Sequence, residues 1–326
     1  MHSAPHVAIV TRHDDFHAYV VRQVLGDRPV RCSIILADSM ASVGGLSWAT
    51  SDEVRSSSVR DLDGDEVQVG DIDVVWWRRL TGEPRIPAKL RDEAARTLII
   101  NDCRAALLGL LLTEFRGTWI SHPEATRTAH NKLVQLREAQ QAGLRVPRTL
   151  VSQEPEAVRR FCDAMSGRVI VKAVAGSQET PVMTGLVTPE LLVDEDIRLS
   201  PAIYQEFVPG SSHLRVCCFG ADVHSALLRT EALDWRYPLE ADVEPYRLDD
   251  QTAQQVVTVV EKLGLRMGIV DMKLGPDGAP VWLEINPQGQ FLFLEGMCSE
   301  MPLTRIFGDF LVREADRASA LRSPVP

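Results

Sequence analysis

The sequence predicts a chain of α/β and α+β domains, built from packed layers of strands and helices. Three observations carry that prediction. The first third alternates short apolar strands with helical patterns, and the middle mixes strands and helices without strict alternation. The last third contains a hairpin, Ile269 to Leu274 and Val281 to Pro287, whose apolar residues are interrupted by acids. Near-continuous apolar strands joined by helices imply a mostly parallel sheet buried on both faces in the first part.

In that first part Val7-Ala8-Ile9-Val10 reads as a strand, Asp15 to Leu25 as a helix, residues 31–36 and 72–77 as strands, and about Pro87 to Glu114 as a long helix. Between them Val54 to Val69 is polar, with Asp63-Gly64-Asp65 as a hairpin turn. Trp76 and Trp77 point to opposite faces of their strand, so at least one is core. Arg78 and Arg79 leave its C-terminal end, where α/β domains carry functional groups as well as surface pairs. A boundary falls near Gly117.

The second part opens with a helix from about Thr126 to Ala142, terminated by Gly143. A strand at 148–152, a helix starting at Ser152 or Pro155 and the strand Arg168 to Val174 follow. Strands at 202–208, 214–219 and 222–229, a helix at 250–263, the acidic hairpin and a helix from Thr304 complete the order. The expected divisions are an N-terminal α/β domain over 1–117, a central lobe over 118–198 and a C-terminal lobe over 199–326.

With 45% hydrophobic and 25% charged residues among 326, the composition is that of a globular protein and excludes disordered and fibrous classes. The apolar run Ala105 to Leu112 is too short to cross a bilayer, and no signal-peptide pattern precedes the first strand, so a cytoplasmic protein is expected. The net charge of -10, without a compensating basic block, argues against nucleic-acid binding and for a basic peptide segment as partner. The six cysteines show no Cys-x-x-Cys spacing and read as reduced core thiols, and His13 and His17 have no third metal ligand nearby.

The chemistry concentrates in the hairpin. Glu284 and Asn286 alternate onto one face of their strand, and equal counting from a Pro276–Ala279 loop sets Asp271 opposite Glu284. Val281, Leu283 and Ile285 are then expected to point into a core. Three hard oxygen donors suit magnesium rather than zinc, and magnesium that keeps positions for phosphate implies a nucleoside triphosphate. Lys172, within an apolar strand, calls for an anion, and phosphate is the natural one. Ala175-Gly176-Ser177-Gln178 is a small-residue loop suited to closing over phosphates. Lys132, on the helical stretch His130-Asn131-Lys132-Leu133, reads on its own as a solvated helix lysine. Tyr204-Gln205-Glu206-Phe207-Val208-Pro209-Gly210 runs from a strand into a turn, leaving backbone groups beyond Glu206 for an adenine edge, with Phe207 or Val208 as apolar contact.

Together these segments resemble the ATP-grasp ligases, which have an N-terminal α/β (pre-ATP-grasp) domain. Within them the chain is similar to the microviridin-type peptide maturases, or graspetide synthetases. The residues that carry the likeness are Asp73 to Arg79, Asn131-Lys132-Leu133, Gly143 to Leu150, Gln205 to Arg215, Asp234-Trp235-Arg236 and Leu283 to Gln290. The resemblance implies ATP and magnesium as cofactors. It assigns Lys132 and Lys172 to the phosphates, Gln205, Glu206, Phe207 and Val208 to the adenosine, and Asp271, Glu284 and Asn286 to the metal. Arg215 and Arg236 would steady the transferred phosphoryl group, and Asp234 would orient the attacking hydroxyl or pair with Arg236. His213 departs from the pattern, standing where relatives commonly carry an acidic residue in reach of ribose.

The implied function is crosslinking of a ribosomal precursor peptide, with a leader sequence, by esters from Asp or Glu to Ser or Thr, or amides to Lys. A homodimer is a further implication. The alternatives are a ligase that appends a free amino acid to a peptide or carrier protein, and a nucleotide-binding partner without catalysis. The intact Asp271, Glu284 and Asn286 set argues against the last.

Overall fold

Parallel pairing of apolar strands organises the N-terminal part of the chain. The structure, a computed structural model, describes residues 4–50, 57–79, 85–175, 183–233, 235 and 241–322. They cluster into two compact units, residues 1–123 with 302–326, and residues 124–301.

The first unit runs β1 (His6–Thr11), α1 (Phe16–Gly26), β2 (Arg31–Leu36), α2 (Met40–Val43), β3 (Ser47–Trp48), β4 (Ser57–Arg60), β5 (Glu66–Gln68), β6 (Val74–Trp77), α3 (Glu93–Glu114) and β7 (Thr118–Ile120). The sheet has the order β2-β1-β6-β7 and is parallel throughout. Its two faces are both covered, which is why its strands are apolar without alternation. On one face Ala8, Val10, Val75 and Trp77 pack with Leu107, Leu110 and Leu111 of α3. On the other, Trp76 meets Phe307 at 4.7 Å, a residue of the C-terminal helix Leu303–Arg322. Both tryptophans are therefore core, one on each face. Beside this sheet β3, β4 and β5 form an antiparallel one. Its turn lies at the expected Asp63-Gly64-Asp65, where Gly64 adopts φ +89 and the Asp61 carboxylate accepts from Asp63 and Asp65 N–H.

The C-terminal helix differs from expectation. It packs in the first unit, against α1 and β6, instead of with the preceding lobe: Arg28, just past the end of α1, donates to Asp309, and Arg322 pairs with Asp73. The divisions read from the sequence fall at 117 and 198, whereas those of the compact units fall at 123 and 301. Helical periodicity identified the element, and only a contact across most of the chain length places it.

The second unit contains α4 (Pro123–Ala129), α5 (Lys132–Gln141), β8 (Thr149–Ser152), α6 (Pro155–Ala164), β9 (Val169–Ala173), β10 (Gly185–Leu186), α7 (Asp194–Leu199) and β11 (Ala202–Glu206). After them come β12 (Ser212–Phe219), β13 (Asp222–Arg229), β14 (Asp242–Tyr246), α8 (Asp250–Lys262), β15 (Met267–Leu274), β16 (Pro280–Asn286) and α9 (Leu292–Met297). One antiparallel sheet, β10-β9-β11-β8, packs Val169, Val171 and Tyr204 on Val158 and Cys162 of α6. A second, β14-β13-β12-β15-β16, packs Leu214, Val216, Val270, Met272 and Trp282 against Val256 and Val260 of α8. The single helix expected over 126–142 is two. Asn131 breaks it, because its side-chain oxygen accepts from Leu133 and Val134 N–H at 3.0 and 3.3 Å and so caps a new helix whose first residue is Lys132.

Candidate active site

The hairpin of β15 and β16 pairs Asp271 with Glu284, as equal counting expects, but reaches that register by another route. Leu274 pairs with Pro280 and Met272 with Trp282, one residue out of step with the count, and a β-bulge at Leu283 restores the expected pairing at Asp271. The bulge also reassigns the faces. Trp282 and Ile285, an odd number apart, both enter the core under α8. Val281 and Leu283, expected there, do not: Val281 lines a cavity beside Phe207, and Leu283 is half-buried outside that core.

Alternation carries the rest of the site face. Leu214 and Met272 point into the core, so Arg215 and His213 on β12, and Asp271 and Lys273 on β15, point to the opposite side. Arg215 and Asp271 are register partners, both buried, and the guanidinium Nη1 donates to both carboxylate oxygens at 2.8 Å. Its Nη2 donates to Gln290 carbonyl oxygen at 2.8 Å. The planar group also lies 5.4 Å from the ring of Trp235 and 6.0 Å from that of Phe293, which stack on each other at 5.6 Å.

Glu284 faces the ammonium of Lys132 at 3.4 Å, so the cap at Asn131 and the register of β16 together bring a cation and a carboxylate to one point. Asn286 is exposed, pairs with Ile269 and stands diagonal to Asp271; its side-chain oxygen accepts from Gln288 N–H at 3.3 Å. Among the described residues no three His, Cys, Asp or Glu side chains cluster as metal ligands. Two carboxylates and an amide on adjoining cross-strand positions are a hard-oxygen set that fits magnesium.

Lys172 and Gln205 share one face of the other sheet, away from the α6 core that takes Val171 and Tyr204. Gln205 is buried and donates to Thr149 Oγ1 at 2.9 Å, while its carbonyl oxygen has no partner. Arg215 Nε is a second buried polar atom without one. Such atoms are costly unless a ligand satisfies them, and a nucleotide supplies donors for the first and anionic oxygens for the second. Glu206 faces elsewhere: Arg148 holds it in an ion pair at 3.2 Å and keeps its carboxyl below the usual range. The ladder extends one residue beyond expectation, since Phe207 N–H donates to Arg168 carbonyl oxygen at 3.0 Å, so the unpaired hinge donors start at Val208. A cavity of about 410 Å³ borders this hinge, lined by Val146, Phe207, Val208 and Val281 among others. Asp234, Arg236 and the loop from Gly176 to Gln178 lie outside the described residues.

Lys273 is the residue the sequence reading passed over. Only 5% exposed, it places its ammonium 5.5 Å from the ring of Phe207, and burial lowers its pKa. Its position two residues from Asp271 puts it on the site face, a signal that was present; its burial was not visible. Arg78, by contrast, is consumed structurally, fully buried against Asp15 and over Trp76 in the first unit.

No protein-family model and no curated protein matches the sequence. The macrocyclase MdnC bound with precursor peptide MdnA, from Microcystis aeruginosa MRC, superposes with a TM-score of 0.82 at 25% identity over 94% of this chain and 99% of that one. The fold is that of the ATP-grasp ligases of RiPP maturation. The RiPP-associated ATP-grasp ligase of Chryseobacterium gregarium, in complex with ADP and a leader and core peptide, gives 0.84 at 21% identity over 95% and 97%. The ATP-grasp ligase PsnB, complexed with minimal precursor, Mg and ADP, gives 0.75 at 25% over 95% and 97%. In ATP-grasp terms the sheet with Lys172 and Gln205 and the sheet with Arg215, Asp271 and Glu284 are the two sheets of the second unit. Among the described residues no helix is long and apolar enough to cross a membrane.

Proposed function

We propose that this chain is an ADP-forming ATP-grasp ligase that crosslinks a ribosomal precursor peptide through its own side chains. One observation carries the reading: Lys132, Arg215, Asp271 and Glu284, two cations against two carboxylates, meet on one sheet of a fold shared with a macrocyclase bound to its precursor. An Asp or Glu carboxylate of the peptide attacks the terminal phosphorus of ATP, the bond to the bridging oxygen breaks, and ADP leaves. A Ser or Thr hydroxyl, or a Lys amine, then adds to the acyl-phosphate carbonyl; phosphate departs and the attacking group gives up its proton.

Each side chain has a place in that sequence. Lys132 and Lys172 hold phosphate oxygens, Gln205 accepts from the adenine amino group, and Phe207 and Val208 contact the base. Glu206, turned to Arg148, braces the hinge; His213 stands toward the ribose. Arg215 and Arg236 offset the charge that gathers on the transferred phosphoryl group, and Asp234 orients the nucleophile or takes its proton. Asp271, Glu284 and Asn286 would hold magnesium, which when bound offsets phosphate charge. The precursor with its leader is the partner, the cytoplasm the setting, and a homodimer the assembly in this reading.

Hydroxylamine tests the acyl phosphate directly. Turnover with precursor peptide, ATP and magnesium in its presence is expected to convert Asp or Glu side chains to hydroxamates; ADP release without hydroxamate or crosslink would contradict the activation step.

A further inference from the structure

β16 is the outer strand of its sheet, so every second backbone group points away from the ladder and needs a partner elsewhere. At Ile285, the residue between Glu284 and Asn286, that partner is a single side chain. Gln135 of α5 accepts from Ile285 N–H at 3.0 Å and donates to Ile285 carbonyl oxygen at 2.8 Å. Its amide nitrogen donates as well to Ala129 carbonyl oxygen, at 2.6 Å, across the break between α4 and α5. Gln135 is only 3% exposed.

The position of this clamp is what gives it a function. Gln135 lies three residues after Lys132, on the first turn of the helix that Asn131 caps, and its bond to Ala129 pins that turn from the other side. Lys132 in turn reaches Glu284 at 3.4 Å. The side chain therefore ties the cation's helix to the peptide units on both sides of Ile285, which set the directions of Glu284 and Asn286. Apolar packing alone cannot do this. Ile285 sits in the core and would keep strand and helix together, yet the rotation of its peptide planes is left to the bonds that Gln135 supplies.

We infer that Gln135 is a positioning residue for the nucleotide–metal site: it holds Glu284 and Asn286 in the orientation in which their oxygens converge, and sets Lys132 beside them. The inference rests on the reading of that site as one for ATP and magnesium. It adds a residue that touches neither ligand and acts through Ile285.

The test separates this role from plain stability. Gln135→Met keeps length and volume while removing all three bonds; Gln135→Glu keeps the acceptor for Ile285 N–H and removes the donors. The probe is manganese in the presence of saturating ATP, followed by electron paramagnetic resonance on the full chain, with melting temperature and metal-free ATP affinity measured alongside. Both variants are expected to weaken manganese binding at least tenfold, and by more than they weaken metal-free ATP binding, and Asn286→Ala added to Gln135→Met should weaken it by less than the product of the two single effects. Manganese affinity equal to wild type in a folded Gln135→Glu, or fully multiplicative effects in the double variant, would overturn the positioning role, even if melting temperature falls. Should the wild-type protein itself bind no manganese with ATP, it is the nucleotide–metal reading that fails.

Discussion

Arg215 and Asp271 face one another across β12 and β15, and both oxygens of the carboxylate accept from the same guanidinium nitrogen at 2.8 Å. A buried arginine thus neutralises the carboxylate assigned to the metal, while Lys132 does the same for Glu284. The two cations are the groups that the proposed chemistry turns toward phosphate, so the ion pairs of the fold and the chemistry draw on the same charges.

Arg215→Met is expected to cost stability as well as turnover. It removes the guanidinium that pairs with buried Asp271, 8% exposed, a loss on the order of 3–5 kcal/mol in urea unfolding. Combining it with Asp271→Leu should recover most of that loss while ADP release stays absent. A single variant as stable as wild type would show that the pair is not needed by the fold.

Glu284→Gln and Asn286→Ala should behave oppositely. The ion pair of Glu284 with Lys132 is about a quarter exposed at both ends and contributes roughly 0–1 kcal/mol, and Asn286 is exposed, so circular dichroism and melting should hardly change. ADP release is expected to stop in both. Normal release at ordinary magnesium would remove these oxygens from the site.

Much of this region is readable from sequence, and the parts that are not have definite causes. Alternation alone puts Glu284 with Asn286 and Asp271 with Lys273, and turn chemistry locates the hairpin. The bulge at Leu283 is invisible, because nothing local shows that the strands start to pair one residue closer to the turn; it decides that Trp282 and not Val281 enters the core under α8. Asn131 is a recognisable cap, yet the apolar pattern on either side of it reads as one helix. Gln135 looks like a surface glutamine until the edge strand it serves is known. The pairing of the C-terminal helix with β6 and α1 is likewise a long-range fact without a local signal.

Gly289 closes the turn behind Asn286. A Cβ there would stand 2.5 Å from Ile269 Cβ and 3.2 Å from Asn286 Cβ, a contact that backbone movement has to relieve. Gly289→Ala is expected to cost about 1–3 kcal/mol by overpacking and to weaken magnesium dependence of ADP release at least tenfold. Unchanged magnesium dependence would mean that the turn yields toward solvent, away from Asn286.

The first unit carries its own pH signature. Burial, followed by the neighbouring Arg31, pushes the His6 imidazole down from 6.5 to about 4. The folded value lies below the unfolded one, so the unfolded chain takes up the proton first as pH falls. The stability associated with neutral His6 is complete above 6.5 and is lost progressively down to about 4, on the order of 3 kcal/mol in all. His6→Gln should lack this part of the acid dependence, measured as the difference between the two proteins' unfolding curves across that window. Parallel curves would place the titration elsewhere.

Intact mass spectrometry of the precursor, after incubation with this protein, ATP and magnesium, decides whether the carboxyl activated by ATP belongs to the same peptide as the nucleophile. The peptide is expected to be lighter by one water for every bond formed, with one ADP released per bond, and to lose each step when the corresponding core Asp or Glu is changed to Asn or Gln. A peptide heavier by an amino-acid residue, or ADP formed with the peptide mass unchanged, would contradict the crosslinking reading.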